Sequence, residues 1–359
     1  MLNDLIARMD AGSALTEPQV ADAVAALVRE EVAVELKADF LSALARKGET
    51  IDEIAAFARL LRDRAVPVPL DDATRQREIL DVVGTGGDRL HTINISSTAA
   101  LLCAAAGVTV AKHGNRAITS ASGSADVLET LGIPLHHTPA EAAAALRERG
   151  FAFFFAPNYH PAFKHIGPAR KLCAERGQRT IFNFLGPLLN PVRPTAMLLG
   201  VPRPELCEPI ARGLQTLGVR RAMVVCGAVP LTKAETGKQK AEMAHLDEIS
   251  TLGPTTVAEF YQERGFAVSE LRPQTFPLQP AALADLVGGD KAANAAITRA
   301  ILRGEERGPK RDAVQLNAAA ALFVAGRVKS LLAGWELADE LIASGAAAAK
   351  LEQLTGHRA

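Results

Sequence analysis

The sequence predicts an α/β fold, in which a small all-helical N-terminal domain precedes a larger domain with a mainly parallel central sheet flanked by helices. The first 70 residues carry only helical periodicity, with apolar side chains three and four positions apart. From about residue 78, short apolar runs that often end in glycine alternate with helical segments. Short strands separated by helices are typical of a parallel sheet that is covered on both faces.

Capping signals locate the helices of the first domain. Thr16-x-x-Gln19 and Thr50-x-x-Glu53 are capping boxes, and Gly48 is a natural end for the helix between them. Prolines at 67 and 69 end the last helix. The predicted domains are residues 1–70, joined by helices around 161–190, and residues 75–359.

The second domain is predicted from alternating strand and helix patterns. Strands are expected at 79–83, 108–111, 151–156, 196–201 and 222–226. Helices are expected at 99–106, at 126–131, from 140 to the glycine at 150, between the last two strands, and from 291 to the C-terminus. The segment 251–280 fits neither pattern clearly.

Composition excludes several functional classes. The 359 residues contain 40 Lys and Arg against 40 Asp and Glu, so the net charge is zero. A chain without net charge lacks the field that non-specific nucleic-acid or membrane-surface binding needs. No apolar run approaches the roughly 20 residues of a membrane span. The four cysteines lie far apart, and with no leader-like N-terminus we interpret them as reduced thiols of a cytoplasmic protein.

The first segment with a chemical signature runs from a strand through a glycine loop into a helix. It consists of Asp81-Val-Val-Gly-Thr-Gly-Gly-Asp88 and then Thr92-Ile-Asn-Ile-Ser-Ser-Thr98. Glycines let a ligand approach the backbone N–H groups, and a helix N-terminus favours phosphate. Hydroxyl oxygens in this segment can also ligate Mg²⁺. The pattern is neither a dinucleotide fingerprint nor a Walker A loop, and the alternative interpretation is a tight turn with capping residues.

A second segment directly follows a predicted strand. It consists of Lys112-His-Gly-Asn-Arg116 and a hydroxyl-rich stretch that ends at Asp126. Ligands of open α/β folds bind at the carboxyl edge of the sheet, where this segment should lie. Lys112 and Arg116 suit an anion with several oxygens. The alternative is a solvated loop in which Ser124 caps the next helix.

Two further patterns are weaker alone. Asp247-Glu248 can hold Mg²⁺ through carboxylate oxygens, although two solvated acids are the commoner explanation of such a pair. Tyr159, followed by basic residues up to Arg170, could receive a flat substrate that carries a carboxylate. A turn followed by an exposed basic helix explains that segment equally well.

Taken together, these segments resemble the anthranilate phosphoribosyltransferase family of tryptophan biosynthesis over nearly the whole chain. The motifs that carry the resemblance are Lys47-Gly-Glu-Thr50, Gly84-Thr-Gly-Gly-Asp88, Asn94-Ile-Ser96, Lys112-His-Gly-Asn-Arg116, Phe182-Asn-x-Leu-Gly-Pro-Leu-x-Asn-Pro191, Asp247-Glu248 and Arg311-Asp-Ala-Val-Gln-Leu-Asn-Ala318. The glycine loop and the Lys112–Arg116 segment, in this order and spacing, are the specific ones.

The resemblance implies transfer of a phosphoribosyl group from phosphoribosyl pyrophosphate (PRPP) to anthranilate, with two Mg²⁺ ions per subunit. The residues implied for PRPP are Gly84, Thr85, Gly86, Gly87, Asp88, Thr92, Asn94, Ser96, Ser97, Lys112, His113, Gly114, Asn115, Thr119 and Ser120. Those implied for anthranilate are Gly84, His113, Asn115, Tyr159 and Arg170, with Arg170 on the carboxylate. Ser96 is implied for one Mg²⁺, and Asp247 and Glu248 for the second.

The resemblance also implies that catalysis depends on positioning and charge stabilisation, because the aniline nitrogen is already nucleophilic; no catalytic acid or base is assigned. It implies a homodimer formed through the helical domain, and neither a nucleic-acid nor a membrane partner. The alternatives are a divergent relative with another acceptor, a pyrimidine-nucleoside phosphorylase and a nucleic-acid-binding relative.

The chain departs from the family pattern before Asp247. The loop 227–246 is longer than usual and basic, with lysines at 233, 238 and 240, which leaves the position of the second metal site open. One hypothesis is a mobile flap over the PRPP phosphates, and a solvated surface insertion is the alternative.

Overall fold

The structure, a computed structural model, describes residues 1–117, 122–231, 242–262 and 264–356. Helices precede the sheet, as the sequence predicts. They are α1 (Leu2–Asp10), α2 (Glu17–Leu27), α3 (Val34–Lys47), α4 (Ile51–Arg62) and the short α5 (Asp72–Arg75). Both predicted capping boxes form, since the Thr16 N–H donates to Gln19 Oε1 at 2.9 Å and the Thr50 N–H to Glu53 Oε2 at 2.8 Å.

One sheet runs through the larger part of the chain. Its strands in the described residues are β1 (Ile79–Gly84), β2 (Thr109–Gly114), β3 (Phe151–Phe155), β4 (Ala196–Gly200), β5 (Arg221–Leu231), β6 (Glu242–Leu246), β7 (Thr255–Tyr261) and β8 (Gly265–Leu271). The order is β3-β2-β1-β4-β5-β7-β8, with β6 also on β5. The first five strands of that order are parallel, so their carboxyl ends share one edge.

Helices cover both faces of the sheet, and several end in the glycines that the sequence predicts as caps. They are α6 (Ile95–Ala105), α7 (Ser124–Leu131), α8 (Pro139–Arg149), α9 (Ala156–Tyr159), α10 (Gly167–Glu175), α11 (Cys207–Thr216), α12 (Leu283–Leu286), α13 (Lys291–Leu302), α14 (Pro309–Val324), α15 (Leu331–Ala343) and α16 (Ala346–Thr355). Short 3₁₀ turns lie at Pro161–His165, Ile181–Asn183, Gly186–Leu189, Pro204–Leu206 and Pro273–Thr275.

Alternation along the strands divides the core between the two faces. In β4, Leu198 packs on the side of α6 and α14, whereas Met197 and Leu199 pack with the N-terminal helices. All three side chains are at most 2 % exposed. The sheet is therefore buried on both sides, which is why its parallel strands are continuous apolar runs in the sequence.

The segment around α10 packs on the N-terminal helices. Lys37 Nζ in α3 donates to the His165 carbonyl oxygen at 3.0 Å, and Cys173 Sγ lies 3.5 Å from the Ala38 carbonyl oxygen. The chain therefore returns to the helical region after β3, before it re-enters the sheet at β4.

Two strands extend well beyond their predicted bounds, and the segment without a clear prediction contains a hairpin. β2 continues past the predicted end at 111 to Gly114, because polar side chains in its second half are buried between neighbouring elements. β5 is longer because β6 and β7 pair antiparallel with it. The ambiguous segment 251–280 contains the β7–β8 hairpin, whose outer strand is mostly exposed. Within the residues described, no helix has the length and apolarity that crossing a membrane requires.

Candidate active site

The glycine loop lies where β1 ends at the carboxyl edge of the sheet. Gly86 and Gly87 have φ of 73° and 90°, a region that residues with a Cβ rarely adopt, so the loop requires glycine there. The loop leads to Asn94, which precedes α6. The Ser97 hydroxyl in the first turn of that helix is buried and has no hydrogen-bond partner among the described residues.

The acidic segment Asp247-Glu248 crosses directly over the ends of β1 and β4 and over the middle of β5. A Cβ atom on Gly84 or Gly200 would overlap Asp247, and one on Gly227 would lie 2.6 Å from the Glu248 carbonyl oxygen. These glycines end β1, end β4 and lie within β5. Absence of a side chain at all three positions lets the Asp-Glu pair lie against the sheet edge, beside the glycine loop.

Hydrogen bonds join this acidic segment to the glycine loop and to α6. Asp247 Oδ2 accepts the Gly86 N–H at 2.6 Å, and Glu248 Oε1 accepts the Ser96 N–H at 3.0 Å. Gly86 and Ser96, which the resemblance implies for PRPP, therefore have their backbone N–H groups on carboxylates in this structure. The longer loop before Asp247 has not displaced the pair from the site, since the β5–β6 pairing returns the chain to it.

Three carboxylates lie close together where the acidic segment meets the glycine loop. Burial raises the pKa of Asp247 well above its usual value, and the neighbouring carboxylates of Asp88 and Glu248 raise it further. Burial also raises the pKa of Glu248, while Lys112 opposes that rise. Buried carboxylates so close together are costly unless a cation neutralises them.

This donor set fits Mg²⁺, a hard cation that prefers oxygen ligands. Among the described residues no three acidic, histidine or cysteine side chains converge closely enough to hold a metal ion alone. Asp247 and Glu248 would therefore supply part of the coordination sphere, with substrate oxygens and water completing it. The Ser96 hydroxyl lies on the same side, because its own N–H contacts Glu248.

Lys112 lies beneath the site rather than in a loop above it. Its side chain is 1 % exposed, and its Nζ donates to the Val82 carbonyl oxygen at 2.5 Å. Burial lowers its pKa, opposed by the charges of Asp81, Glu248 and Asp247. Lys112 thus places a positive charge between the buried Asp81 on one side and the acidic segment Asp247-Glu248 on the other.

Asp81 anchors the lower half of this arrangement. It is fully buried, and it accepts hydrogen bonds from Asn190 Nδ2 at 2.9 Å and from the His113 N–H at 3.3 Å. Burial raises the pKa of Asp81 to about 6, and the charge of Lys112 opposes the rise. Asn190 also donates to the Ala111 carbonyl oxygen at 2.7 Å, so it ties the Phe182–Pro191 motif to β2.

A row of rings leads from His113 away from the glycine loop. The His113 ring meets His160 at 5.4 Å, His160 stacks on Phe163 at 5.1 Å, and Phe163 meets Phe182 at 5.7 Å. Burial lowers the pKa of His113 to about 3 and that of His160 to about 4. Both imidazoles are therefore neutral near pH 7, and the row presents flat, largely apolar surfaces.

Arg170 lies at the far end of this row. Its guanidinium is 5.4 Å from the Phe182 ring centroid, and no described carboxylate lies within salt-bridge distance of it. Burial lowers its pKa, yet an arginine remains a cation near neutral pH. A half-buried guanidinium without an acidic partner is suited to receive a carboxylate. Asn115 is exposed at the other end of the row, just after β2.

The placement of Tyr159 contradicts its predicted role. The ring is 2 % exposed and packs on Phe154 at 5.2 Å, in the core between β3 and α8. The short helix α9 follows β3 directly and turns this side chain back against the sheet. Tyr159 is therefore a core residue and does not line the cleft.

Arg116, which the sequence predicts to join Lys112 around an anion, is engaged by α7 in this structure. Arg116 Nη1 bonds Asp126 at 2.9 Å and Glu129 at 2.7 Å, so its charge is neutralised locally by α7. The predicted residues Thr119 and Ser120 lie outside the described residues. So do the lysines at 233, 238 and 240 and the flap hypothesis built on them.

The remaining predicted residues surround the loop. The structure brings together Gly84, Thr85, Gly86, Gly87, Asp88, Thr92, Asn94, Ser96, Ser97, Lys112, His113, Gly114 and Asn115 at the carboxyl ends of β1 and β2. Gly200, Gly227 and His160 are further residues of the site, and the motifs predict no role for them. The two glycines follow or interrupt apolar strand runs, which is a sequence signal for a close backbone approach. His160 lies next to Tyr159, in the segment up to Arg170 that the sequence favours for substrate binding.

Sequence models of one glycosyl transferase family match both parts of the chain. The family's helical bundle domain matches residues 3–65, and its a/b domain matches residues 76–348. An anthranilate phosphoribosyltransferase of Shewanella frigidimarina is 44 % identical over 98 % of this chain and 96 % of its own. One of Geobacter sulfurreducens is 43 % identical over 99 % of this chain and 98 % of its own.

Solved structures agree with this assignment. Anthranilate phosphoribosyltransferase of Thermus thermophilus matches with a TM-score of 0.84 and 41 % identity over 99 % of both chains. The Saccharomyces cerevisiae enzyme in complex with PRPP and Mg matches with a TM-score of 0.81 and 26 % identity, over 99 % of this chain and 98 % of its own. The chain belongs to the anthranilate phosphoribosyltransferase family.

Proposed function

We propose that this protein transfers the 5-phosphoribosyl group of PRPP to the amino group of anthranilate. The bond between ribose C1 and pyrophosphate breaks, a C1–N bond forms, and the amine proton leaves to solvent or to the departing pyrophosphate. The observation that carries the proposal is the contact of Asp247 with the Gly86 N–H at 2.6 Å, which unites the glycine loop with the acidic segment. The family relationship supports the same reaction.

The phosphoribosyl half of the reaction belongs to the loop end of the site. Positive charge develops on the ribose as the pyrophosphate leaves, and negative charge develops on the leaving group. We assign the loop from Gly84 to Asp88, Thr92, and the start of α6 to binding PRPP, with Thr119 and Ser120 included from the sequence. The buried Ser97 hydroxyl supports this assignment, because its donor at the helix N-terminus has no partner within the part of the chain that the structure describes.

Mg²⁺ would be held by Ser96 in one site and by Asp247 and Glu248 in another, two ions per subunit. When bound, it would neutralise the pyrophosphate charge and so lower the cost of its departure. The crowding of buried carboxylates supports this assignment. Lys112 balances part of that negative charge from below.

The acceptor would lie along the row of rings. Arg170 would bind the anthranilate carboxylate, and the neutral His113 ring and Asn115 would orient the amine toward the ribose. Holding both reactants in line is the main contribution expected of such a site, because the amine needs no strong base. The absence of an acidic partner for Arg170 in the described residues supports this orientation.

The assembly and location are also proposals. We propose a cytoplasmic homodimer formed through a helical domain of residues 1–70 and 161–190, attached to an α/β domain from residue 75. The packing of α10 on α3 supports that domain division. Cytoplasmic location is supported by four cysteines that are all buried and unpaired.

The test is the loss of anthranilate fluorescence with purified protein, PRPP and Mg²⁺. We expect rapid loss that requires both PRPP and Mg²⁺. Arg170→Ala should raise the KM for anthranilate about ten- to hundredfold, because a charge-assisted hydrogen bond is lost. Lys171→Ala is the matched control, since it removes a positive charge from the next, exposed position of α10.

Other outcomes would change the proposal in different ways. No fluorescence loss, with PRPP still bound in calorimetry, would retain the phosphoribosyl half and reject anthranilate as acceptor; other amines would then be screened. An unchanged KM for anthranilate in Arg170→Ala would reject the assigned orientation of the acceptor.

A further inference from the structure

A second concentration of positive charge lies away from the glycine loop, in a cleft of about 520 Å³. The linker after α4 (residues 65–68) forms one wall and Pro191 and Arg193 form part of the other. The linker begins where the helical bundle match ends and precedes the a/b match. The cleft therefore lies at the junction of the two matched regions, and the residues assigned to PRPP and anthranilate do not line it.

Arg62 is the residue that makes this cleft unusual. Its side chain is part of the cleft wall, yet the residue is only 9 % exposed. Its Nε is buried and lacks a hydrogen-bond partner among the described residues. Burial, together with the nearby charge of Arg193, lowers the Arg62 pKa to about 10. No described carboxylate forms a salt bridge with this nearly buried guanidinium, so it carries a desolvation cost that an anionic ligand in the cleft would relieve.

Two more arginines face the same cleft. Arg75 uses Nη1 to donate to the Val192 carbonyl oxygen at 2.7 Å, and its guanidinium carries further donors. Arg193 bonds Asp63 at 2.7 Å and has φ of 56°, a left-handed conformation that is uncommon for a residue other than glycine. Three guanidinium groups against the single carboxylate of Asp63 give the lining of the cleft a clear positive excess.

We propose that this cleft binds a phosphate group, either as free phosphate or as the phosphate of a small ester. Arg62 and Arg75 donate to its oxygens, since planar guanidinium groups suit tetrahedral oxyanions with several acceptors. Val66 and Pro67 give the cleft an apolar side that accommodates the organic part of an ester. The bound anion joins the end of α4 to the segment 191–193, and so ties the helical region to the sheet. The site is independent of the transfer reaction.

Calorimetric titration of the full chain with inorganic phosphate tests this site. Arg62→Gln should weaken the phosphate affinity about ten- to hundredfold, because a charge-assisted hydrogen bond is lost. Arg64→Gln is the matched control, because Arg64 is exposed, does not line the cleft and donates to the Leu60 carbonyl oxygen at 2.8 Å. The glycine loop is unchanged in both variants, so phosphate bound there contributes equally to both.

A variant with the opposite expected effect sharpens the test. Asp63→Asn removes the carboxylate of the cleft and frees Arg193, so it should tighten phosphate binding. Arg193→Gln changes a more exposed position and should also weaken phosphate binding. Its phosphate affinity tests the proposal if Arg62→Gln fails to fold. Equal phosphate affinity in Arg193→Gln, Asp63→Asn and Arg64→Gln would overturn the proposal.

A second ligand distinguishes the two sources of the phosphate group. Phenyl phosphate should show a larger loss of affinity in Arg62→Gln, relative to Arg64→Gln, if an ester with an apolar group is the natural ligand. Equal losses for phenyl phosphate and inorganic phosphate would identify free phosphate. Either result supports the site, and no loss with either ligand rejects it.

Discussion

Asn317 and Ile249 exchange two hydrogen bonds. The Ile249 N–H donates to Asn317 Oδ1 at 2.9 Å, and Asn317 Nδ2 donates to the Ile249 carbonyl oxygen at 3.0 Å. Asn317 is fully buried in α14, and its amide also donates to the Ala313 carbonyl oxygen at 2.9 Å. A helix distant in sequence thereby fixes the backbone directly after the acidic pair Asp247-Glu248.

Replacing Asn317 with alanine should weaken both the fold and the acidic segment. The buried N–H and carbonyl of Ile249 would lose their partners, and each unsatisfied group costs about 1–3 kcal/mol. We expect the free energy of unfolding to fall by about 2–4 kcal/mol, as measured by urea denaturation. The Mg²⁺ concentration for half-maximal activity should rise, because Asp247 and Glu248 would no longer be held in place.

Gln315→Ala is the control for that prediction. Gln315 is buried on the same helix, but its Nε2 donates to the Trp335 carbonyl oxygen at 3.0 Å, away from the acidic segment. Its loss should lower stability without changing the Mg²⁺ requirement. If both variants needed the same extra Mg²⁺, the link between Asn317 and the acidic segment would have no functional meaning.

Gly200→Ala should disable the site while leaving the fold intact. A Cβ atom at this position would overlap the Asp247 carbonyl, so the acidic segment must move outward. Displacement of about 1 Å at a positioned site can cost about hundredfold in rate, and we expect a loss of that order in kcat/KM. Circular dichroism should remain unchanged.

Gly213→Ala provides the comparison. It adds the same methyl group within α11, where the nearest contact would be the Ile54 side chain at 3.4 Å. Activity close to that of the unsubstituted protein is expected there. An active Gly200→Ala protein would show that the close approach of Asp247 to the end of β4 is not required.

Burial by charge balance and exposure at a sheet edge both hide strands from an apolar sequence pattern. Apolar runs predict where the parallel strands begin, but they miss the second half of β2, since Lys112 is buried by charge balance rather than by hydrophobicity. They also miss β8, whose side chains are mostly exposed because it lies at the sheet edge. The capping boxes at Thr16 and Thr50, by contrast, act locally, and they predict the starts of α2 and α4 correctly.

In the candidate site, too, local motifs are visible in the sequence, whereas the contacts between them are not. Motifs located the glycine loop and the acidic pair separately, but only the tertiary structure shows that Gly200 and Gly227 leave room for the pair. The sequence favours Tyr159 as a substrate-binding residue, because the chain has only two tyrosines and basic residues follow this one. The turn at α9, which buries its ring, has no clear sequence signal.

A double-mutant cycle on Asp81 and Lys112 should reveal strong coupling. Each is buried, and each offsets the charge of the other. Asp81→Asn and Lys112→Met should each destabilise the fold by about 3–5 kcal/mol at pH 8, because a buried charge loses its partner. The double variant should cost clearly less than the sum, with a coupling of about 1–3 kcal/mol. Additive losses in urea denaturation would mean that the two charges do not compensate each other.

His160 should contribute a measurable acid sensitivity to the fold. Burial lowers its pKa to about 4 in the folded protein, whereas an exposed histidine titrates near 6.5. Between those values the unfolded chain binds a proton that the folded protein does not, so this residue's effect on stability worsens as pH falls. From pH 8 to pH 5, the free energy of unfolding should drop by about 2 kcal/mol more than in His160→Gln. His136→Gln, which removes an exposed imidazole, is the matched control. Parallel pH curves for the unsubstituted protein and His160→Gln would contradict the prediction, because they would require His160 to be protonated equally in both states.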